Sequence, residues 1–374
     1  MKYSAPAEGF RIAYDRMGSG KPVVLSHGWP GDRTDYNALA PILAQHTDVI
    51  VPDLRGFGQS DKQLVEPETV YSAPGQAKGV IALMDELGLK SAVLGGYDVG
   101  SLTAQTVASM RPDLVSALVV SPPLPGAGSR ILDLKEAKEF WYTTFHQQKV
   151  AEELLDGKPE AIRAYLRHFW SHWSGPKYVV DEQRLNHLVE VYSPKGAFTA
   201  SLGWYRSSGN PVTAYTQEVP PAAKDRMTTP TTVLWQECNP IFPQHWSGRF
   251  DQFFTDFELE YLPGVGHYTP IEATGNVCKS HLEAPRVGEL LRAALNYSGR
   301  RIFRWTNRYL VPRLHHGRRQ QYGPGRSARN CCSRRGRAGS PWSQHADAAR
   351  DDTPDLERLA VGNANVRLFG FKIF

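Results

Sequence analysis

Short apolar runs alternate with longer helix-periodic stretches from residue 21 onward. Lys21-Pro22-Val23-Val24-Leu25-Ser26 and Thr47-Asp48-Val49-Ile50-Val51-Pro52 read as buried strands, as do Ser91-Ala92-Val93-Leu94-Gly95 and Ala117-Leu118-Val119-Val120-Ser121. Between them, residues 72–88 put Ala77, Val80, Ile81, Met84 and Leu87 on one helical face. Strands that alternate with helices predict a parallel sheet covered on both sides. The alternation stops at 131–207, where the pattern is nearly all helical and rich in Trp, Tyr and His. Strand patterns return at Thr231–Trp235 and Phe257–Leu262. A last helix is expected near Pro285, carrying Val287, Leu290, Leu291, Ala294 and Leu295. The expected architecture is an α/β core at 1–125 and 229–298, interrupted by a helical cap or lid at 126–228.

Composition narrows the picture. A chain of 374 residues can bury a large core, so its four cysteines need not staple it. Cys238 and Cys278 are isolated and Cys331 and Cys332 adjacent, which is not a metal-ligand spacing. No stretch approaches 18 apolar residues, and the opening MKYSAPAEGFRIAYD lacks the apolar centre of a signal peptide. A cytoplasmic protein without a membrane span is expected. The formal charge of +5 misleads, because residues 299–374 hold 15 Arg and one Lys against five acids, a net of +11. The body, with 27 basic and 33 acidic residues, carries −6, and nothing there favours nucleic acid. Only 14 of the 76 residues from 299 on are Leu, Ile, Val or Phe, a composition that predicts a disordered tail. Nothing in the sequence fixes an oligomeric state.

The strand at 91–95 runs into Gly95-Gly96-Tyr97-Asp98-Val99-Gly100-Ser101 and then a helix. Small residues two positions either side of a central residue, on a strand-to-helix turn, make a nucleophile elbow. The central residue is Asp98. A carboxylate in that place attacks sp³ carbon to form an alkyl ester and is a poor acyl-transfer nucleophile. Without a Ser or Cys there, esterase and peptidase readings lose support. The plainer alternative is an Asp that caps an ordinary helix.

His27-Gly28-Trp29-Pro30 and Asp53-Leu54-Arg55-Gly56-Phe57-Gly58-Gln59-Ser60-Asp61, in this order with the elbow, resemble the HGxP and DxRGxGxSD segments of α/β-hydrolases of the epoxide hydrolase branch. The resemblance spans roughly residues 10–297 and implies the α/β-hydrolase fold. It implies epoxide opening to a vicinal diol, a small apolar epoxide as substrate and no cofactor. Asp98 would be the nucleophile, and Trp29 and Val99 would offer backbone N–H groups to an oxyanion, beside His27. Gly264-Val265-Gly266-His267-Tyr268 resembles the loop of the family's histidine base, so His267 would activate water. Trp141-Tyr142-Thr143-Thr144-Phe145-His146-Gln147 and Gly203-Trp204-Tyr205-Arg206 resemble the lid segments that supply phenols to the epoxide oxygen. Tyr142 and Tyr205 match those phenols. His146 is an alternative donor, and Trp141 and Trp204 are expected in the apolar lining.

The sequence departs from the family at the acid that should partner His267. The matching position in Trp235-Gln236-Glu237-Cys238-Asn239-Pro240 is Asn239, and the alternative site after the preceding strand is Ser121. Glu237 remains as a candidate, two residues early. An amide cannot offset an imidazolium charge; in a serine protease the equivalent exchange lowers turnover about 10⁴-fold. Two other readings stay open. A haloalkane dehalogenase shares the Asp elbow but normally has Trp where this chain has Val99, and Asn where it has Trp29. A slow or non-catalytic relative that binds a small apolar ligand would account for Asn239.

Overall fold

The computed structural model describes residues 1–207 and 211–273, with a short antiparallel pair at Arg367–Leu368 and Phe371–Lys372. The helix expected near Pro285 and the rest of the basic tail lie outside the described residues.

Eight strands form one sheet: β1 (Lys2–Tyr3), β2 (Ala13–Gly18), β3 (Lys21–Ser26), β4 (Thr47–Pro52), β5 (Ala92–Gly96), β6 (Val115–Val120), β7 (Thr231–Gln236) and β8 (Phe257–Leu262). Their spatial order is β1-β2-β4-β3-β5-β6-β7-β8, parallel from β4 to β8. The apolar runs at β4 and β5 are buried along their whole length, as strands covered by helices on both sides must be. The edge strand β8 alternates instead, with Glu258 and Glu260 between apolar residues.

Two strands escaped the sequence reading. β1 and β2 pair antiparallel, and β2 pairs antiparallel with β4. The run Ala13-Tyr14-Asp15-Arg16-Met17-Gly18 is too polar to stand out by apolar content. Its charges are used laterally: Arg16 bonds both carboxylate oxygens of Asp48 on β4, at 2.9 and 2.7 Å, and Asp15 pairs with Arg33 at 2.9 Å.

The helix Ala73–Glu86 starts where the side chain of Ser72 accepts the Gly75 N–H, and Pro74 occupies its first turn. Gly88, at φ +67°, follows its end. It buries Ala77, Val80, Leu83 and Met84 and packs against the helix Val99–Met110 that follows β5.

The strand order sets the position of the site. The chain leaves β3 toward β4 on one side and leaves β5 toward β6 on the other. The loops after β3 and β5 therefore part, and the crevice outside the carboxyl ends of such strands is where ligands bind in open α/β sheets. The segment between β6 and β7 is helical, as expected, and lies against this crevice. Its helices include Trp141–Gln147, Pro159–His172, Glu182–Tyr192 and Ala197–Ser207.

Buried polar contacts seat that segment on the β3 loop. The Tyr192 hydroxyl donates to the Gly31 carbonyl at 3.0 Å, and the Trp170 indole N–H to the Pro30 carbonyl at 3.2 Å. His187 Nε2 lies 2.7 Å from Asp32, and Arg184 pairs with Asp35. Burial opposes the Asp32 charge, yet the His187 ring bonded to it holds its pKa well below the usual carboxylate range. At the other root of the segment, Glu218 accepts the Gly126 and Gly128 N–H groups at 2.8 and 3.1 Å. Burial pushes its carboxyl up to about 7, against the pull of those two N–H groups and of Arg249 and Arg130. The folded protein therefore holds this proton where the unfolded chain, with an ordinary value of about 4.3, has released it. Thermal stability should fall as pH rises from 5 to 8, and a scan of Tm against pH should show that component lost in Glu218→Gln.

Candidate active site

β5 delivers Asp98 to the sheet's carboxyl edge in a strained turn. Its backbone sits at φ +51°, ψ −124°, a region that costs a non-glycine residue about 1–3 kcal/mol. The turn forms because Gly28 and Gly100, which crowd it, have no side chains to obstruct it. A Cβ on Gly100 would collide with the Ser26 carbonyl at the end of β3, and one on Gly28 would stand 2.6 Å from the Asp98 Cβ. Ser101 and Leu102 N–H groups bond the Asp98 carbonyl, so the helix begins at once.

The Asp98 carboxylate is held between two loops. The Trp29 backbone N–H donates to Oδ1 at 2.7 Å, and His267 Nε2 lies 3.3 Å from Oδ2. Both side chains are buried, the imidazole fully and Asp98 with 7% exposed. Val99 is the first residue of the helix, where backbone N–H groups have no intrahelical acceptor. Tyr97 donates its hydroxyl to buried Asp35, which also meets Arg184, so the residue before the nucleophile is tied to the helical segment.

His27 corrects an expectation. Leu54 N–H donates to its Nε2 at 3.0 Å, so Nδ1 carries the proton and reaches the Gly28 carbonyl at 2.9 Å. Both ring nitrogens are spent on backbone, and the ring shapes the loop rather than meeting a ligand. Asp53 is likewise structural: it accepts from Arg33 N–H, Arg33 Nη1 and Gln59 N–H, each at 2.7 Å.

The helical segment contributes an aromatic roof. The Trp29 ring is stacked with Tyr142 at 6.0 Å and edge-on to Tyr205 at 5.7 Å, and the two phenol rings are 5.7 Å apart. Burial and then the charge of Asp98 push the Tyr142 phenol well above its ordinary value; for Tyr205 the causes are burial, Tyr142 and Asp98. Both phenols stay protonated at neutral pH and within the field of Asp98. His146 is buried 4.4 Å from the Tyr205 ring, with Nε2 on the Tyr165 hydroxyl at 2.8 Å. Burial pushes its pKa well down, so the ring is neutral. Trp204 is buried, whereas Trp141 is 45% exposed and stacks on Phe169 at 5.9 Å, which puts it on the outer side of the roof instead of in a lining.

His267 is fixed by its backbone. Its N–H donates to the Trp173 carbonyl at 2.7 Å, and Gln236 at the end of β7 donates to its carbonyl at 3.2 Å and to Thr269 at 2.7 Å. Its Nδ1 is buried and has no hydrogen-bond partner among the described residues. Asn239 turns onto its own loop, its Nδ2 on Gln236 Oε1 at 3.3 Å and its Oδ1 on Ile241 N–H at 3.2 Å. Glu237 does not take over: it is exposed and accepts the Gly264 N–H at 2.8 Å. Gln236 and Glu272 were missed in the sequence because their side chains bond main-chain atoms of the histidine loop, and no pattern in a single chain marks such contacts. Among the described residues no group of three His, Cys, Asp or Glu is placed to hold a metal ion, and no helix is long and apolar enough to cross a membrane.

A family-wide sequence profile for the alpha/beta hydrolase fold matches residues 21–274. The chain belongs to the α/β-hydrolase family. Within it, the soluble epoxide hydrolase of Corynebacterium sp. (strain C12) is 29% identical over 279 residues, covering 72% of this chain and 92% of that protein. A haloalkane dehalogenase of Bradyrhizobium diazoefficiens is 30% identical over 233 residues, covering 59% of this chain and 68% of that one. Among solved structures, the epoxide hydrolase CorEH without ligand superposes with a TM-score of 0.60 at 26% identity, covering 72% and 93% of the two chains. The α/β-hydrolase elbow gives a direct stability test. Gly100→Ala should lower unfolding free energy by about 1–3 kcal/mol in urea titration, because the new methyl must displace β3 or the helix start.

Proposed function

We propose that the chain hydrolyses a small apolar epoxide to a vicinal diol, with the helical segment at 126–228 acting as the cap over the reacting centre. The observation that carries this reading is a carboxylate, not a hydroxyl or thiol, on the strained elbow, with one oxygen on Trp29 N–H and the other facing His267. Asp98 attacks an epoxide carbon, the ring C–O bond breaks, and Tyr142 and Tyr205 hydrogen-bond the departing oxygen, which takes a phenol proton. The product is a hydroxyalkyl ester of Asp98.

His267 then takes a proton from water as hydroxide adds to the ester carbonyl. Trp29 and Val99 N–H groups face the oxyanion. Collapse breaks the ester bond and the alkoxide leaves with the proton from His267; the second water proton passes from the new Asp98 carboxyl to the phenolate, while the first phenol proton stays on the diol. The net reaction is epoxide plus water to diol. The relatives support the chemistry, and the raised phenol pKa values support donors that are protonated when the ring opens. Asn239 bears on the second half alone, since alkylation needs no imidazolium.

Halide displacement from a haloalkane is the second reading, favoured by Trp29 Nε1, a buried N–H donor with no partner among the described residues. Val99, where dehalogenases carry Trp, favours the epoxide.

Three variants test the assignment on an aryl epoxide, with diol release and ester decay followed separately. Loss of Tyr142 and Tyr205 hydroxyls in the double Phe variant should slow ring opening about 10²–10⁴-fold and leave decay of any ester formed unchanged. His267→Ala should form the ester and hold it. Asn239→Asp should speed ester decay about ten-fold or more by restoring a carboxylate for the imidazolium. Ring opening that is indifferent to the tyrosines, combined with turnover of a chloroalkane, would move the assignment to dehalogenation.

A further inference from the structure

The second half-reaction has an electrostatic difficulty that the first does not. While water is being deprotonated Asp98 is an ester and carries no charge, so the nearest carboxylate no longer balances the imidazolium. The usual acid positions offer an amide at Asn239 and a hydroxyl at Ser121, and Glu237 is occupied in solvent with Gly264.

A different carboxylate is built into the histidine loop. Glu272 is 7% exposed, and its Oε2 accepts the Gly266 N–H at 2.8 Å and the Gly175 N–H at 2.7 Å, while Oε1 accepts the Tyr268 N–H at 3.1 Å. The first and third donors are the residues immediately before and after His267. The second lies in the helical segment, two residues beyond Trp173, whose carbonyl accepts the His267 N–H. One buried side chain thus grips the backbone on both sides of the base and ties it to the roof.

We propose that Glu272 is the positioning carboxylate of His267: it fixes the loop that carries the ring and supplies the negative charge that the amide at 239 withholds. This rests on the reading of His267 as the base. Three backbone N–H donors favour the charged form of Glu272 against its burial, which pushes its pKa up, and the imidazole acts in the same sense as the donors. Other titratable groups face this pair. Asp98 and Tyr97 meet it from the elbow, Tyr268 lies on the same loop, Tyr178 belongs to the helical segment, and Cys238 follows β7. Tyr97, Tyr178 and Tyr268 are held protonated by burial, and Cys238 is also pushed up, so none of these four supplies a negative charge at neutral pH.

The test is the titration of the His267 ring by NMR in ring-labelled full-length protein with no epoxide present, in the parent, Glu272→Gln and Glu272→Asp. Removal of the charge in Glu272→Gln should move the midpoint to lower pH by about 0.5 unit or more, while Glu272→Asp should leave it near that of the parent. In parallel, decay of the Asp98 ester should slow about 10- to 100-fold in Glu272→Gln with ring opening unchanged. An unmoved midpoint in Glu272→Gln overturns the proposal, and so does an equal shift in both variants, which would assign the effect to loop geometry. If Glu272→Gln does not fold, the parent decides: its His267 resonances must carry a second inflection where the Glu272 carboxyl titrates, and absence of that inflection overturns the proposal. The ring titration needs no substrate. Failure of every epoxide to react would therefore remove the epoxide reading while leaving the pairing of Glu272 and His267 judged on its own data.

Discussion

The strained turn at Asp98 is the constraint on which the rest of this molecule depends. A carboxylate at the end of a central strand could fold back to cap the helix behind it, and in the sequence that was the plain alternative. The structure pays for the opposite outcome with a left-handed backbone at Asp98 and with close approaches at Gly28 and Gly100. The carboxylate is lifted off its own helix, with no capping bond to it, and bonds the Trp29 N–H of the neighbouring loop instead. Strain of this kind persists only where surrounding structure enforces it. Here the enforcement comes from β3 and β5 packed side by side, and from the buried chain of Tyr97, Asp35 and Arg184 that joins the elbow to the helical segment.

The three loops that converge on Asp98 are held mainly through backbone atoms. His27 holds the β3 loop to Leu54, Gln236 and Trp173 hold the histidine loop, and Glu272 clips residues 266 and 268 to Gly175. Side chains that bond main-chain atoms keep a reacting centre in register without entering it. The aromatic roof serves the same end by packing: the Trp29 ring lies against Tyr142, His146, Phe169, Trp173 and Tyr205, so the loop that donates to Asp98 and the rings above it form one packed layer.

Much of this was legible in the sequence where chemistry and pattern coincide. The apolar runs at 21–26 and 47–52 and the alternating run at 257–262 are strands with those bounds, and the Gly-rich setting of Asp98 is an elbow in the structure, because hydrophobic period and missing side chains leave direct traces in sequence. The edge strand Ala13–Gly18 left no such trace, since its stability comes from lateral ion pairs and its partner β4. The Asn239 departure was visible, but its physical consequence was not: in the folded chain the amide turns to Gln236 and Ile241, Glu237 faces solvent, and His267 Nδ1 has no partner among the described residues. His27 and Trp141 misled for related reasons, one satisfied by backbone on both nitrogens and the other turned outward on an amphipathic helix.

Attack of Asp98 on sp³ carbon would leave a covalent ester on the protein, which intact-protein mass spectrometry detects. The protein is mixed with an aryl epoxide such as styrene oxide and quenched in acid. One added mass of epoxide, mapped by peptide analysis to Asp98, is expected in His267→Ala and transiently in the parent, and none in Asp98→Ala. Diol released with no adduct at Asp98 in any of these proteins would contradict attack by Asp98, because water would then attack the epoxide without a covalent intermediate.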